Sequence, residues 1–226
     1  MSDHPPTTNK RLVLILGGAR SGKSAYAEQL ALRMARGHPP IYVATATPSD
    51  EEMRARIAEH RRLRDTSDAG WLTIEAPDDP ASALAAEQRL REPGVVVLDC
   101  LTLLVANLLL GALPSLATDD GNSRDTLDSA AAAAVEERAG RAIDDVLAVY
   151  ERGARSLIIV SNEVGMGIVP VYPLGRLYRD LLGRLNARIA ARADAVLLLV
   201  AGLPIEVKSL SHAWNATAAD VLGLDS

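Results

Sequence analysis

The stretch Leu12-Val13-Leu14-Ile15-Leu16-Gly17-Gly18-Ala19-Arg20-Ser21-Gly22-Lys23-Ser24 decides the fold. Five consecutive aliphatic residues read as a strand covered on both faces. They run into Gly17–Ser24, which fits G-x-x-x-x-G-K-[ST], and then into a helical pattern over Ser24–Ala35. Strand, glycine loop and helix, in that order, are the context in which this pattern cradles phosphate. Gly17, Gly18 and Gly22 allow a turn tight enough for several N–H groups to converge on one anion. The helix that follows aims the positive end of its dipole at the same point. Lys23 adds a mobile cation for the β- and γ-phosphates, and Ser24 a hydroxyl for Mg²⁺. Ala19, Arg20 and Ser21 complete the nucleotide-binding loop. The competing reading, a glycine turn with an incidental Lys-Ser pair, leaves the flanking strand and helix unexplained.

Outward from this loop, short apolar runs alternate with longer helical patterns. Strands are predicted at Leu12–Leu16, Ile41–Thr45, Leu72–Glu75, Val95–Asp99, Leu157–Ser161 and Ala195–Val200, with a last short one near Ile205–Lys208. Helices are predicted at Ser24–Ala35, Asp50–Arg64, Pro80–Arg91, Leu101–Leu110, Leu127–Arg152 and Leu174–Ala193. The alternation predicts an α/β fold, a mostly parallel sheet with helices on both faces, in one RecA-like P-loop NTPase domain over residues 11–208. Residues 1–10 read as a disordered arm. Residues 111–124 read as a polar, acidic surface loop, and 209–226 as a tail of loose structure or a partner contact.

Composition excludes several classes. With 226 residues, 48% of them hydrophobic, the chain can build a sizeable core, and that core is aliphatic because there is no Phe. A net charge of −5 argues against a general nucleic-acid binder, which carries a basic face. Cys100 is the sole cysteine, so no internal disulfide forms, as in a reducing cytoplasm. The polar start lacks a signal-peptide core, and no apolar run reaches membrane-span length; Asp99, Thr102 and Asn107 interrupt the longest.

Three further segments carry candidate chemistry. Asp99 closes the run Val95-Val96-Val97-Leu98, where an acidic residue holds Mg²⁺ in this class of enzyme; capping the helix from Leu101 is the other reading, and the two can coexist. Met53, Ile57, His60 and Arg64 fall on one helical stripe. A helical His beside Arg61, Arg62 and Arg64 is, on spacing alone, more often solvated or structural than catalytic. Yet a neutral imidazole can attack phosphorus, and neighbouring guanidinium groups disfavour its protonated form and neutralise phosphate charge. Ser161-Asn162-Glu163-Val164-Gly165-Met166-Gly167-Ile168-Val169-Pro170 begins at a strand end, beyond which ligands bind in such sheets. Asn162 and Glu163 there can bind a polar substrate group or order a metal-bound water, or serve a rigid turn with a capping Asn. Arg176, Arg179, Arg184 and Arg188 line one helix, most of them as solvated charges, with one or two left to face an anionic substrate or a neighbouring subunit.

Taken together these motifs resemble one family, the bifunctional adenosylcobinamide kinase / adenosylcobinamide-phosphate guanylyltransferases of cobalamin biosynthesis. The pieces are GGARSGKS at 17–24, YVATAT at 42–47, DEEMRARIAEHRR at 50–62, WLTIEAP at 71–77, VVLDCLTLLVANLL at 96–109 and SNEVGMGIVP at 161–170. The match continues through 174–204, and the SNEVGMGIVP segment is far more specific than the phosphate loop. The resemblance implies two steps. ATP or GTP phosphorylates the aminopropanol hydroxyl of adenosylcobinamide, then GMP passes from GTP to that phosphate through a covalent guanylyl-histidine. The matching histidine is His60. The resemblance also implies GTP contacts at the phosphate loop, Thr45, Ala46, Thr47, Arg61, Arg62, Leu63, Arg64, Glu75 and Asp99, a corrinoid partner and a homotrimer. The chain departs from the family in the insert Thr66-Ser67-Asp68-Ala69-Gly70, at Leu104, where an aromatic is common, and at Val171-Tyr172, where Glu-Asn is common. Regulatory or motor NTPases and nucleotide sensors share the phosphate loop and stand as the alternatives.

Overall fold

A computed structural model describes residues 10–48, 51–116 and 127–222, without the side chains of Glu52, Arg56, Leu63, Ser115 and 215–222. The readings of 1–9 as an arm and of 117–124 as loop therefore lie outside the described residues. The chain runs β1 (Leu12–Gly17), α1 (Lys23–Met34), β2 (Ile41–Ala44), α2 (Glu51–Asp65), β3 (Leu72–Glu75), α3 (Pro80–Ala85), β4 (Gly94–Asp99), α4 (Leu101–Gly111) and α5 (Leu113–Leu116). It continues through α6 (Ser129–Arg152), β5 (Arg155–Val160), α7 (Pro173–Arg192), β6 (Ala195–Val200), β7 (Leu203–Glu206) and α8 (Val207–Leu222).

The seven strands form one sheet in the order β3-β2-β4-β5-β1-β6-β7. Only β7 is antiparallel, so β1 to β5 present their C-terminal ends along a single edge. Strand alternation sorts the core into two layers. Val13, Ile15, Val95, Val97, Ile158 and Val160 pack with Ala27 and Ala31 of α1 and with Ala35 at its C-terminal cap. Leu12, Leu14, Val96, Leu98, Leu157 and Ile159 pack with α3, α4, α6 and α7 on the opposite face. Val95, Val96, Val97 and Leu98 are all essentially buried, each contributing about 1.5–3 kcal/mol. This is the predicted RecA-like arrangement, with β5 inserted between the phosphate-loop strand and the strand that ends in Asp99.

Several expectations are corrected. The helix predicted over Pro80–Arg91 is α3 followed by a separate 3-10 turn, Gln88–Arg91. The Glu87 carboxylate accepts from Arg89 N–H and starts that turn afresh. Val207–Leu222 form helix α8, where the sequence predicts loose structure or a partner contact from residue 209, and the last strand ends at Glu206 rather than Lys208. Glu206 accepts from the N–H groups of Lys208 and Ser209, which fills the open donors of a helix start; the Ser209 side-chain hydrogen bond first, and the backbone N–H groups after it, hold its carboxyl down at about 2. Of the segment 111–124, residues 113–116 form α5, and Leu116 is buried.

The N-terminal edge of the sheet is closed by two cations. Arg155, fully buried, donates to Arg89 O and Pro39 O, both at 2.7 Å. A Cβ on Gly94 would lie 2.5 Å from its guanidinium, so glycine is required there. Lys10 donates to the carbonyls of Tyr150, Glu151 and Gly153 at the end of α6, and its ammonium lies over the Tyr150 ring.

Candidate active site

The phosphate loop leaves β1 through Gly17, whose φ of +157° and surroundings exclude a side chain. A Cβ there would meet Ser21 Oγ at 2.6 Å and Leu199 O at 2.7 Å. Gly22, at φ +89°, caps α1, and Arg20 adopts φ +57° between them. Lys23 is buried and its ammonium donates to Gly18 O at 2.6 Å, closing the loop on itself. The β6–β7 turn braces the loop from outside, with Gly202 N–H donating to Ser21 O at 3.1 Å. Sequence reading did not foresee that brace; the Gly202 positive φ of +81° is its signature.

A cavity of about 440 Å³ opens beside the loop at the C-terminal edge of the sheet. Ala19 to Ser24 form one wall, and Asp99, Cys100 and Asn162 the strand ends. Met53, Ile57, His60 and Arg64 of α2 all face it, so the helical stripe read from the sequence is the stripe turned inward. Ala46 also lines it.

Other expected contacts lie elsewhere. Thr45 is fully buried and off the cavity wall; its hydroxyl donates to Cys100 O and accepts from Cys100 N–H, joining the ends of β2 and β4. Asn107 supports the same turn by donating to the carbonyls of Thr45 and Pro77. Arg61 pairs with Glu75 at 3.1 Å and Arg62 with Glu59 at 2.7 Å, all four exposed. Thr47 is exposed, and the side chain of Leu63 lies outside the described residues. Gly17 and Gly18 shape the loop without lining the cavity. Glu163 is off the wall too: its carboxylate accepts from Gly165 N–H, while its own N–H donates to Gly17 O. Asn162 is held from both sides, donating its N–H to Thr102 Oγ1 and accepting at its carbonyl from Asn186. The α7 arginines divide their work. Arg176 and Arg179 donate to loop carbonyls of Pro170, Val171 and Gly165, whereas Arg184 and Arg188 pair with Glu136 and Asp144 of α6.

Two residues that sequence reading missed tie the site together. Glu28 of α1 faces α2, with Oε1 3.0 Å from Arg64 Nη1 and 4.0 Å from His60 Nδ1. Arg64 in turn stacks on the Tyr42 ring at 3.6 Å. The Tyr42 hydroxyl donates to Asp99 Oδ2 at 2.7 Å. Histidine, carboxylate, guanidinium, phenol and carboxylate thus form one chain from α2 to β4. Burial pushes the Glu28 carboxyl up, and Arg64 and His60 pull it back. Burial and the Asp99 charge hold the Tyr42 phenol well above its usual range, so it stays a donor. Burial, then Asp99, pushes the Cys100 thiol up to about 12, which leaves it no nucleophile.

Ser24 and Asp99 both face the cavity, and this donor set fits Mg²⁺. That ion takes one or two protein oxygens and completes its shell with phosphates and water. Among the described residues there is no cluster of His, Cys, Asp or Glu that would hold a metal by itself. No helix among them is long and apolar enough to cross a membrane.

A parallel sheet with a phosphate loop after β1, and a carboxylate two strands away, defines a RecA-like P-loop nucleotide enzyme. Residues 13–207 match the model of the family described as cobinamide kinase / cobinamide phosphate guanyltransferase, and the chain belongs to that family. Among similar proteins, the bifunctional adenosylcobalamin biosynthesis protein CobP of Pseudomonas aeruginosa is 41% identical, covering 86% of this chain and 96% of its own length. The bifunctional adenosylcobalamin biosynthesis protein CobU of Salmonella typhimurium is 38% identical, and that of Escherichia coli 36%; each alignment covers 87% of this chain and 99% of the relative. The flagellar accessory protein FlaH of Methanocaldococcus jannaschii superposes with a TM-score of 0.42 at 16% identity, covering 86% of this chain and 74% of that one. The family match ends where α8 begins.

Proposed function

We propose that this protein phosphorylates adenosylcobinamide with ATP or GTP and then transfers GMP from GTP to that phosphate, releasing pyrophosphate and adenosylcobinamide-GDP. Guanylyl-His60 is the intermediate. The observation that carries the reading is the position of His60, on the wall of the same cavity as Lys23, Ser24 and Asp99. Family membership supports the two activities.

The steps cut different bonds. Phosphorylation breaks the β–γ link and guanylylation the α–β link, so the triphosphate takes two poses on one loop. For phosphorylation, Lys23 and the loop N–H groups hold the β- and γ-phosphates while the corrinoid hydroxyl attacks. Asp99 and Glu163 are the candidate bases there; Asp99 faces the cavity, and Glu163 is tied to Gly165. For guanylylation the α-phosphate comes to His60, whose imidazole attacks in line, with Lys23 stabilising the pyrophosphate leaving group. Mg²⁺ held between Ser24 and Asp99 would neutralise phosphate charge in both steps. Asn162 is the substrate contact best placed for the corrinoid side. We place the enzyme in the cytoplasm as a homotrimer; exposed Met166, Ile168 and Val171 supply apolar surface for a partner.

α-labelled GTP tests the reading. Wild-type protein acquires acid-labile, alkali-stable label, and His60→Ala acquires none while still phosphorylating adenosylcobinamide. Label retained in His60→Ala removes the assignment.

A further inference from the structure

We propose that Glu28 is the positioning carboxylate of guanylyl transfer: it accepts the Nδ1–H of His60 and thereby frees Nε2 to attack phosphorus. The proposal rests on His60 being the nucleophile.

Glu28 sits in α1 beside Ala27, which anchors that helix to the sheet, and its side chain is only 17% exposed. A carboxylate placed so deep needs partners, and both face it from α2. Arg64 is the fixed one. Its guanidinium is buried, stacked on Tyr42, and bonded to Glu28 Oε1. Tyr42 is itself tied to Asp99, so the carboxylate is pinned by a rigid chain rather than by one long side chain. The charged and titratable groups around it are His60 and Arg64 from α2, Tyr42 from β2 and Asp99 from β4.

The ring nitrogen that meets Glu28 is Nδ1. A neutral imidazole carries one N–H, and the partner of one nitrogen decides which one. A proton held on Nδ1 leaves the Nε2 lone pair free, on the side of the ring away from the carboxylate. The Nδ1–Oε1 separation of 4.0 Å is about an ångström beyond a hydrogen bond. Catalytic hydrogen bonds of this kind are commonly long before substrate binds and tighten in the complex.

The electrons balance without a proton leaving Glu28's partner. The Nε2 pair forms the N–P bond as the α–β bridging P–O bond breaks, and that pair departs with pyrophosphate. Nδ1 keeps its proton, so the ring carries a positive charge, which Glu28 faces. When an oxygen of the corrinoid phosphate attacks the same phosphorus, the N–P pair returns to Nε2.

The test is Glu28→Gln in the full chain, with three readouts. These are the single-turnover rate of labelling by α-labelled GTP, the rate of adenosylcobinamide phosphorylation by ATP, and ¹H–¹⁵N spectra of the histidine side chains, with His60 assigned by His60→Ala. Labelling should slow on the order of 10²-fold, as expected for loss of a positioned proton partner. Phosphorylation should stay within about threefold, because its transition state does not use the imidazole. The His60 signals should move from the Nδ1–H toward the Nε2–H tautomer. Equal loss of both rates, undiminished labelling, or an unchanged tautomer would each overturn the proposal. Label surviving in His60→Ala would instead sink the nucleophile assignment, while the tautomer comparison separately reports whether Glu28 orients the ring.

Discussion

Replacing Arg64 by Met isolates the strongest link in the chain between α2 and the sheet. Arg64 is buried, 3.0 Å from Glu28 and stacked at 3.6 Å on Tyr42. Met keeps most of the volume and removes the charge, stranding a carboxylate. Breaking a buried pair costs about 3–5 kcal/mol. The 17% exposure of Glu28 lets water screen part of this, which brings the cost to about 2–3 kcal/mol. At roughly 2–4 °C per kcal/mol for a chain of this size, Tm should fall by about 4–12 °C. The sign of the pH dependence follows from Glu28. Burial already raises its carboxyl, and without Arg64 the rise is larger. A carboxyl raised in the folded state loses stability as pH climbs from the ordinary Glu range through the folded value, and is unpenalised below that range. The deficit of Arg64→Met should therefore be full near neutrality and shrink toward roughly pH 5 and below. Calorimetry of wild type and variant at both pH values measures it, and adding Glu28→Gln should recover most of the loss. A deficit under about 2 °C, or one equal at both pH values, would refute the assignment of a charged Glu28–Arg64 pair.

Arg155→Met loses two bonds to buried carbonyls but also removes a desolvated cation, for a net loss of about 2–3 kcal/mol. Its Tm should drop while kcat and KM stay at wild-type values, because Arg155 lies at the sheet edge opposite the cavity. Gly17→Ala should weaken GTP binding at least about tenfold by calorimetric titration, since its Cβ has no room beside Ser21 and the Leu199 carbonyl. Cys100, with its thiol pushed up to about 12, should resist iodoacetamide near about pH 8 in the native protein and react once unfolded, as read by intact mass.

The sheet and much of the site were legible because their signals are local. The aliphatic run Leu12–Leu16 and its glycine loop, the run Val95–Leu98 ending in Asp99, and the stripe Met53-Ile57-His60-Arg64 each announce themselves within one element. Glu28 and Tyr42 do not. Their roles depend on α1 meeting α2, and on β2 lying beside β4 while β5 separates β4 from β1, and no local pattern encodes that order. The family resemblance makes Thr45 a nucleotide contact, yet its hydroxyl is used twice by the Cys100 backbone. The break after α3 was hidden because Gln88–Arg91 suits a helix; the Glu87 side chain, bonding locally to the backbone, restarts the chain there. Helix α8 was missed because its start is set by Glu206, whose capping depends on strand β7 delivering it to the right place.

The clasp of Lys10 on the end of α6 fixes where the chain enters the fold. β1 starts at that edge and carries its glycine loop to the far one. A label placed at this entry point therefore meets the enzyme from behind. The cavity beside the glycine loop, at the opposite edge, is left clear of it.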